Sequence, residues 1–392
     1  MRGAAGKIGR TEGGTLNRTR MDLQWREPRT AARYRRGVSL HSHTMHSRET
    51  LSFIPRHVPH IPVLGALVGA QERRYRERTG NDLDYTRAWW TPPLSGPQAL
   101  ELEGRQITET LGLEALVSLT DHDNMEAPRL LTVVEPARLV PHSVEWTVPF
   151  GPSFVHLGIH NIPRGPLPAL EAGMREYSAS PDADLLAGLL EELHGSGETL
   201  VVLNHPLWDE ACIGGARHAA LIAGFLHRHR GWIHALEFNG LRPWSENRAV
   251  LELGQDCGLP VVSGGDRHGL EPNAVVNLTN AATFCEFVDE VRTQGSSHML
   301  VLPQFREPFL LRCFEVMRDA LCHLPDAAGR ESWAERVWYQ PERGEPVTLA
   351  ELWCGEGPAV VRHFVGLVQL FSNSRVHEMV RAALSGSEEA AL

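Results

Sequence analysis

The sequence lacks a long hydrophobic run. It has 392 residues and a hydrophobic content of 42%, yet no stretch of about 18 apolar residues, the length that a membrane-spanning helix needs. Its most apolar stretch, residues 61–70, is too short and too closely flanked by proline. The basic N-terminus has no apolar segment of the kind found in secretory signals. We therefore expect a cytoplasmic protein without a membrane partner.

Cysteine is scarce and its spacing shows no pattern. None of the cysteines forms a CxxC pair, and their spacing matches no disulfide framework. This favours a reducing compartment and excludes a thiolate zinc site. The six cysteines are Cys212, Cys257, Cys285, Cys313, Cys322 and Cys354.

An overall basic charge is also missing. The formal net charge is −10, which argues against general affinity for nucleic acid. No basic stripe with interleaved aromatic residues occurs, so we expect no nucleic-acid partner. The first part of the chain is the exception, because residues 1–36 hold ten Arg or Lys against three Asp or Glu. With little apolar periodicity, this part is predicted to be a disordered basic tail.

A short apolar run that ends in two histidines comes directly after this tail. In VSLHSHTMHS, residues 38–47, the histidines His41 and His43 are two positions apart. Residues i and i+2 of a strand project from the same face, so both imidazoles can bind one metal ion. An isolated HxH would more often be two polar residues that leave a strand for a loop.

The same event recurs along the chain. Apolar runs end in His, Asp or Glu at TDHD (120–123), SVEW (143–146), FVHLG (154–158), NHP (204–206) and GGDRH (264–268). Between them lie helical patterns, and this alternation predicts an α/β fold with parallel strands and helices outside. Since the carboxyl ends of such strands form one edge, the polar residues are predicted to share a site.

Three segments are predicted around this alternation. A barrel-like domain covers residues 37–305, a mainly helical extension covers 306–392, and the tail covers 1–36. An insertion at about residues 51–95, rich in Pro, aromatic residues and Arg, is too long for an ordinary loop. It is either a lid folded over the site or a packed addition without a catalytic role.

The candidate ligands are nitrogen and oxygen donors. Imidazole and carboxylate groups suit zinc, iron or manganese, and sites with several His and no thiolate are typically catalytic. A carboxylate such as Glu145 can bridge two ions. A water molecule between them then loses its proton near neutral pH and becomes the nucleophile.

The order of these motifs resembles the PHP superfamily, the polymerase and histidinol phosphatase domain. The resemblance covers about residues 37–300 without the insertion. It implies a distorted (β/α)7 TIM-like barrel, with the insertion after strand 1 and the helical extension at its C-terminal end. It also implies two or three divalent metal ions (Zn, Mn or Fe).

Carried onto this sequence, the resemblance implies three groups of ligands. The first ion is held by His41, His43, Glu145 and Asp266. Glu145 bridges to a second ion, which is also held by His156 and His205. A third ion is held by His122 and His268. The catalytic positions are expected at Glu145, Asp266 and His268.

One position departs from the family pattern. The family supplies an Asp five residues, or a His six residues, after the second histidine of the first motif, where this chain has Arg48 and Glu49. Glu49 can serve as an oxygen ligand, and we include it in the predicted metal site. If Glu49 points away, the site holds two ions.

Three more residues are predicted to support the site. Asp121 precedes His122 and is expected to orient it by a hydrogen bond. Arg48 and Arg267 are candidates to bind a substrate phosphate in bidentate fashion. For each arginine a surface ion pair is an equal alternative.

These observations predict a metal-dependent hydrolase. The main hypothesis is a phosphoric ester hydrolase (EC 3.1.3 or 3.1.4 type) that acts on a small phosphorylated metabolite or nucleotide, with a metal-bridging hydroxide as nucleophile. The alternatives are an amidohydrolase-like enzyme that cleaves C–N or C–O bonds, and a non-catalytic PHP-like structural or regulatory module. The sequence does not predict the natural substrate or the oligomeric state.

Overall fold

The computed structural model of the chain describes residues 18–60, 62–133, 140–325, 330–353, 357–370, 374–383 and 386–392. Its strands are β1 Arg18–Leu23, β2 Arg36–Ser39, β3 Glu49–Thr50, β4 Ala88–Trp90, β5 Glu114–Val117, β6 Val144–Phe150, β7 Ser153–His160, β8 Leu200–Asn204, β9 Ala235–Asn239, β10 Val261–Gly264, β11 Val275–Thr279, β12 Ser296–Val301, β13 Val337–Tyr339 and β14 Val347–Thr348.

Helices lie between most of these strands. Within the described ranges, no helix combines the length and the hydropathy needed to cross a bilayer. The helices are α1 Phe53–His57, α2 Pro62–Thr79, α3 Gly96–Arg105, α4 Glu126–Leu131, α5 Leu167–Ala179, α6 Ala183–Gly195, α7 Gly215–His229, α8 Trp244–Cys257, α9 Phe284–Arg292, α10 Phe309–Ala320, α11 Leu349–Trp353, α12 Ala359–Leu370 and α13 Ser374–Ala383.

Local sequence signals account for the ends of these helices. Ser95 and Gln98 form a capping box at the start of α3, with a proline in its first turn, which satisfies backbone N–H groups that have no partner within the helix. At the other end of α8, Gly258 adopts a φ of 67°. Glycine reaches this left-handed conformation without a steric penalty, so it ends the helix.

Two five-stranded sheets form the body of the fold. Their strand orders are β1-β12-β11-β2-β5 and β10-β9-β8-β7-β6. The α/β class is thus confirmed, but the strands are not all parallel as predicted. Strands β6 and β7 pair antiparallel, because the two residues between them, Gly151 and Pro152, can form a hairpin turn but not a crossover.

The sheets meet at the loops after β2, β5 and β10 and at the start of β6. Isolated parallel bridges join Ser42 to Arg267 and His122 to Glu145. The interior on either side is apolar, with fully buried residues such as Leu203, Leu236 and Val262. This arrangement places the loops after β2, β5, β8 and β10 around one region. The closed seven-stranded barrel stays a prediction.

The N-terminal segment differs from the predicted disordered tail. Residues 18–23 form β1, which pairs in parallel with β12, and Thr30 donates a hydrogen bond to Asp22 at 2.7 Å. The arginines of this strand concealed its alternation in the sequence. The rest of the predicted tail, residues 1–17, lies outside the described residues.

The insertion and the C-terminal extension share a third sheet. Its order is β14-β13-β4-β3, so that β4 of the insertion lies between β3 and β13. The extension contains α10 to α13 as predicted, together with two strands that the sequence did not predict. The insertion is therefore joined on one side to the strand that carries Glu49 and on the other to residues near 338.

Candidate metal centre

The predicted metal ligands come together in one region, but Glu145 lies at the start of β6 and His156 within β7, and not after the ends of their strands as predicted. They form four overlapping groups, in each of which the ligand atoms lie within 4.8 Å of one another. The structure thus brings together side chains from the HxH motif (41–43) through to the GGDRH motif (264–268). Their role as metal ligands stays a prediction. The groups are His43, Glu49, His122 and His268; His41, His43 and Glu145; His41, His205 and Asp266; and Glu145, His156 and His205.

Glu145 lies at the centre of the cluster and is fully buried. Its Oε2 atom lies 2.9 Å from His41 Nε2 and 3.2 Å from His43 Nε2. Its other oxygen, Oε1, lies 3.1 Å from His205 Nε2 and 3.7 Å from His156 Nδ1. The two oxygens therefore face two different pairs of imidazoles, which is the arrangement that a bridging carboxylate requires.

Asp266 faces the same imidazoles from the loop after β10. Its Oδ1 atom lies 3.5 Å from His41 Nε2 and 3.4 Å from both His43 Nε2 and His268 Nδ1. Glu145 and Asp266 thus approach the HxH pair together.

Glu49 points toward the cluster. Its Oε2 atom lies 3.2 Å from His268 Nε2 and 3.4 Å from His122 Nε2, and its Oε1 atom accepts a hydrogen bond from Ser47 Oγ at 2.6 Å. The departure from the family pattern is therefore compatible with a third ligand group. This group is also the most open part of the cluster, since the His122 side chain is 16% exposed.

The charges in the cluster depend strongly on one another. Burial alone raises the pKa of Glu145, but the imidazoles around it, His41 first, hold that pKa well below its usual value. Burial lowers the pKa of His43, but its contacts with Asp266 and Glu145 outweigh this and raise the pKa to about 10. Without metal, the imidazole therefore holds a proton in the place where a cation fits.

The backbone at three of the candidate ligands is unusual. His41, His205 and Asp266 have φ values of 63°, 28° and 54°, in the region that residues with a Cβ rarely adopt. The three residues also constitute one of the four ligand groups. Such strain of about 1–3 kcal/mol per residue persists only where surrounding contacts impose it, and it concentrates at functional sites.

The geometry fits divalent cations. With bonds of about 2.1 Å, two ligands of a tetrahedral zinc ion lie about 3.4 Å apart, and most of the distances around Glu145 and Asp266 lie between 2.9 and 3.7 Å. In addition, the buried His43 Nε2 atom makes no hydrogen bond of regular geometry, although the Glu145 and Asp266 carboxylates lie 3.2 and 3.4 Å away. A buried polar atom without a partner is costly, and a metal ion would satisfy this one.

Asp121 occupies another position than predicted. Instead of bonding to His122, its carboxylate accepts hydrogen bonds from the backbone N–H of Thr44 at 2.5 Å and from Thr44 Oγ1 at 2.7 Å. Asp121 therefore fixes the loop that follows the HxH motif. Proximity in sequence suggested the wrong partner for this carboxylate.

Arg267 also has a different role from the predicted one. Its Nε lies 3.0 Å from the carboxylate of Glu103, and its terminal nitrogens donate to the carbonyls of Gly269 at 2.8 Å and His43 at 2.6 Å. The side chain is 3% exposed. Arg267 thus supports the loop that carries Asp266 and His268. Its guanidinium is bound by protein atoms and is not free to bind a phosphate.

Arg48 turns toward the insertion. Its guanidinium lies 5.0 Å from the ring centroid of Trp89, and Trp89 is paired with Thr50 and not with Glu49. Because successive residues of a strand face opposite sides, Trp89 and Glu49 lie on opposite faces of this sheet. The structure therefore gives Arg48 a cation–π contact with the insertion.

Several residues of the site were missed from the sequence. Glu237 lies 2.5 Å from His41 Nδ1, and Asn204 donates to Glu145 Oε1 at 2.9 Å. Glu210 lies 3.8 Å from His156 Nδ1, and Arg56 of α1 donates to the Glu210 carbonyl at 3.4 Å. A carboxylate within the apolar run ALEFN was the available signal for Glu237, because an isolated buried charge is rare.

A cavity of about 680 Å³ adjoins the cluster. It is bounded by Asp266 and His268 on one side and by the C-terminal extension on the other, where Glu315 and His377 form an ion pair at 2.8 Å. Its size falls within the range of about 300–1,000 Å³ typical of small-molecule sites.

Comparison with known proteins gives structural neighbours only. No protein-family model matches the chain, and neither does any curated protein. A two-domain protein from Bacteroides vulgatus, described as containing a PHP-like metal-dependent phosphoesterase, is 15% identical; the match covers 71% of this chain and 69% of that one, with a TM-score of 0.37.

Two further neighbours are shorter matches. A protein from Bifidobacterium adolescentis described as a metal-dependent phosphoesterase is 15% identical, over 52% of this chain and 92% of that one, with a TM-score of 0.32. An amidohydrolase from Chromobacterium violaceum with bound sulfate is 16% identical, over 45% and 83%, with a TM-score of 0.33. The chemistry proposed for this chain rests on its own residues.

Proposed function

We propose that the protein is a metal-dependent hydrolase that cleaves phosphoric esters of small molecules. The observation that carries this proposal is the position of Glu145, which is buried and directs each carboxylate oxygen at a different pair of imidazoles. Structural metal sites rarely need such a bridge between two ligand groups, whereas hydrolytic sites with two ions use it to hold them close together.

The ligand residues are assigned to three metal ions. His41, His43, Glu145 and Asp266 would hold one ion, Glu145, His156 and His205 a second, and Glu49, His122 and His268 a third, with zinc, manganese or iron suited to these donors. When bound, divalent cations supply positive charge that lowers the pKa of water and offsets charge on the departing oxygen. Burial of Glu145 excludes bulk water from this charge and strengthens its effect.

The substrate is proposed to enter through the cavity beside His268. The third ligand group lines the open side of the cluster, with side chains of Glu49 and His268 that are 11% and 12% exposed. The cavity volume of about 680 Å³ is within the range that suits a small phosphorylated metabolite.

Hydrolysis of a C–N or C–O bond is the second candidate. The observation that favours it is the orientation of Arg48 and Arg267, neither of which presents its guanidinium to the cluster. A phosphate ester would then depend on the metal ions alone for its negative charge.

The experiment combines metal analysis of the purified protein with parallel panels of phosphate esters and amides. We expect two or three equivalents of divalent metal and metal-dependent release of phosphate. Glu145→Gln is expected to lower kcat/KM by about a thousandfold, or about 4 kcal/mol in the barrier. Glu290→Gln, at a carboxylate that binds Thr279 in another part of the fold, is the matched control and keeps full activity.

The two panels separate the candidates. Release of phosphate by the metal-loaded protein supports the ester hydrolase, and turnover in the amide panel alone supports the second candidate. A metal-loaded protein that turns over no compound in either panel would contradict both.

A further inference from the structure

Glu237 contacts a whole ligand group without belonging to it. Its Oε1 lies 2.5 Å from His41 Nδ1, and its Oε2 accepts the backbone N–H of His205 at 2.8 Å. The same oxygen accepts a hydrogen bond from Asn239 Nδ2 at 2.9 Å, and Asn239 Nδ2 also donates a hydrogen bond to Asp266 Oδ2 at 3.2 Å. One carboxylate is thus connected to His41, His205 and Asp266.

These three residues are the candidate ligands with strained backbones. The φ values of His41, His205 and Asp266 lie in the left-handed region, so surrounding contacts must hold them there. Glu237 binds the backbone N–H of His205 directly, and it fixes the side chain of His41 directly and that of Asp266 through Asn239. Because Glu237 and Asn239 are i and i+2 in β9, they project from the same face of this strand.

The carboxylate also sets the ring orientation of His41. With Nδ1–H donated to Glu237, the ring of His41 directs Nε2 toward Glu145 and Asp266, at 2.9 and 3.5 Å, so Nε2 is the nitrogen available to a metal ion. A hydrogen bond from the remote ring nitrogen to a carboxylate is a general means of fixing a metal-binding imidazole and making it more basic.

The neighbouring strand leaves room for this carboxylate. A Cβ atom on Gly264 of β10 would lie 1.7 Å from Glu237 Oε1. Because Glu237 is 1% exposed and is fixed by several hydrogen bonds, it cannot move aside at low cost. Because Gly264 has no Cβ atom, it leaves the space that the Glu237 carboxylate occupies beneath the cluster.

From these contacts we propose that Glu237 is a positioning residue for His41, His205 and Asp266, and through them for the two metal ions that Glu145 would bridge. Removal of its charge loosens these two ions while the group of Glu49, His122 and His268 keeps its own. The proposal rests on the proposed metal centre but not on the identity of the substrate.

The test measures metal binding and stability rather than turnover. Glu237→Gln keeps the size of the side chain, and we expect the affinity for the two Mn²⁺ or Zn²⁺ equivalents that depend on Glu145 to fall about 10- to 100-fold, measured by chelator competition. Gly264→Ala, which displaces the carboxylate without removing it, should have the same effect. Glu237→Asp should restore part of the affinity.

Glu389→Gln is the matched control. Glu389 is also a buried carboxylate that accepts a backbone N–H, from Trp244 at 3.0 Å, but it lies outside the ligand groups. We expect this substitution to lower the Tm of the metal-free protein and to leave metal affinity unchanged.

The outcomes are distinct. Equal affinity and stoichiometry in Glu237→Gln and the wild type, or a fall in Tm of the metal-free protein without any change in affinity, would overturn the positioning role. Loss of every equivalent at once would overturn its selectivity. A wild-type protein that binds metal but hydrolyses no ester would contradict the proposed function and leave this inference standing.

Discussion

At the scale of single residues, the chemical type and the order of the site residues could be predicted from the sequence, but the direction in which loop side chains point could not. Strand-end histidines such as His41 and His205 were predicted from the motifs because the loops that follow neighbouring strands meet at one edge, although both residues lie just beyond their strands with left-handed backbones. Arg267 and Asp121 were misplaced because a long or loop-borne side chain can turn either way, and their partners, Glu103 and Thr44, lie far away in the sequence. Motif order carries no information about such contacts.

Glu49 gives a prediction at this scale. Its Oε2 faces His122 and His268, so Glu49→Ala should reduce the metal content by one equivalent, because two imidazoles alone are a weak site. The equivalents that depend on Glu145 should remain. Metal content of dialysed protein, measured by plasma emission, provides the readout.

A shorter carboxylate is the informative companion. Glu49→Asp keeps the charge but retracts the oxygens by one methylene, and we expect intermediate affinity for the same equivalent. If Glu49→Ala retained the full metal content, the third ligand group would have to be abandoned.

At the scale of elements, the insertion and the extension were each predicted from the sequence, but the sheet that they share was not. Strands β4 and β13 are about 250 positions apart, and both are only three residues long. Strands this short leave little periodicity to read. The alternation of strands and helices over 37–270 was predictable because each unit is local, whereas β1 was hidden by the arginines at its exposed positions.

The shared sheet yields a prediction for Trp338. Its ring is stacked with that of Trp89 at a centroid distance of 6.4 Å, and β4 in turn pairs with the strand of Glu49. Trp338→Ala should lower the free energy of unfolding by about 1–3 kcal/mol and weaken the Glu49-dependent metal equivalent more than the others. Denaturant titration and chelator competition measure the two effects.

The control for this variant is an exposed apolar residue of the extension. Leu367 on α12 is 56% exposed, so Leu367→Ala should change neither quantity. Equal weakening of all metal equivalents in Trp338→Ala would mean that the sheet stabilises the fold as a whole and does not brace Glu49 in particular.

At the scale of the whole molecule, the two sheets bury histidines in two separate regions. Near the metal centre, His160 accepts or donates a hydrogen bond with Ser118 at 2.8 Å. Elsewhere, His234 Nδ1 accepts the backbone N–H of Val201 at 2.9 Å and its Nε2 lies 3.0 Å from His194 Nδ1. Sequence showed the abundance of His but not which of them lie inside.

These buried histidines make the fold sensitive to acid. Burial lowers the pKa of both His160 and His234 to about 3, with smaller effects from Arg292 on His234 and from His41 on His160. Between the ordinary pKa of 6.5 and that value, the unfolded chain binds protons that the folded chain does not. The free energy of unfolding therefore falls as the pH falls, by up to about 1.4 kcal/mol per pH unit for each group.

His234→Asn tests this dependence, because the amide oxygen can still accept the Val201 N–H while the titrating ring is gone. We expect the slope of unfolding free energy against pH, from denaturant titrations between pH 6 and pH 4, to be smaller than in the wild type by about 1.4 kcal/mol per unit. His227→Asn, at an exposed histidine of α7, should keep the wild-type slope. Equal slopes in His234→Asn and the wild type would show that the folded protein binds a proton at His234. Water would then have access to this buried region, contrary to what its packing indicates.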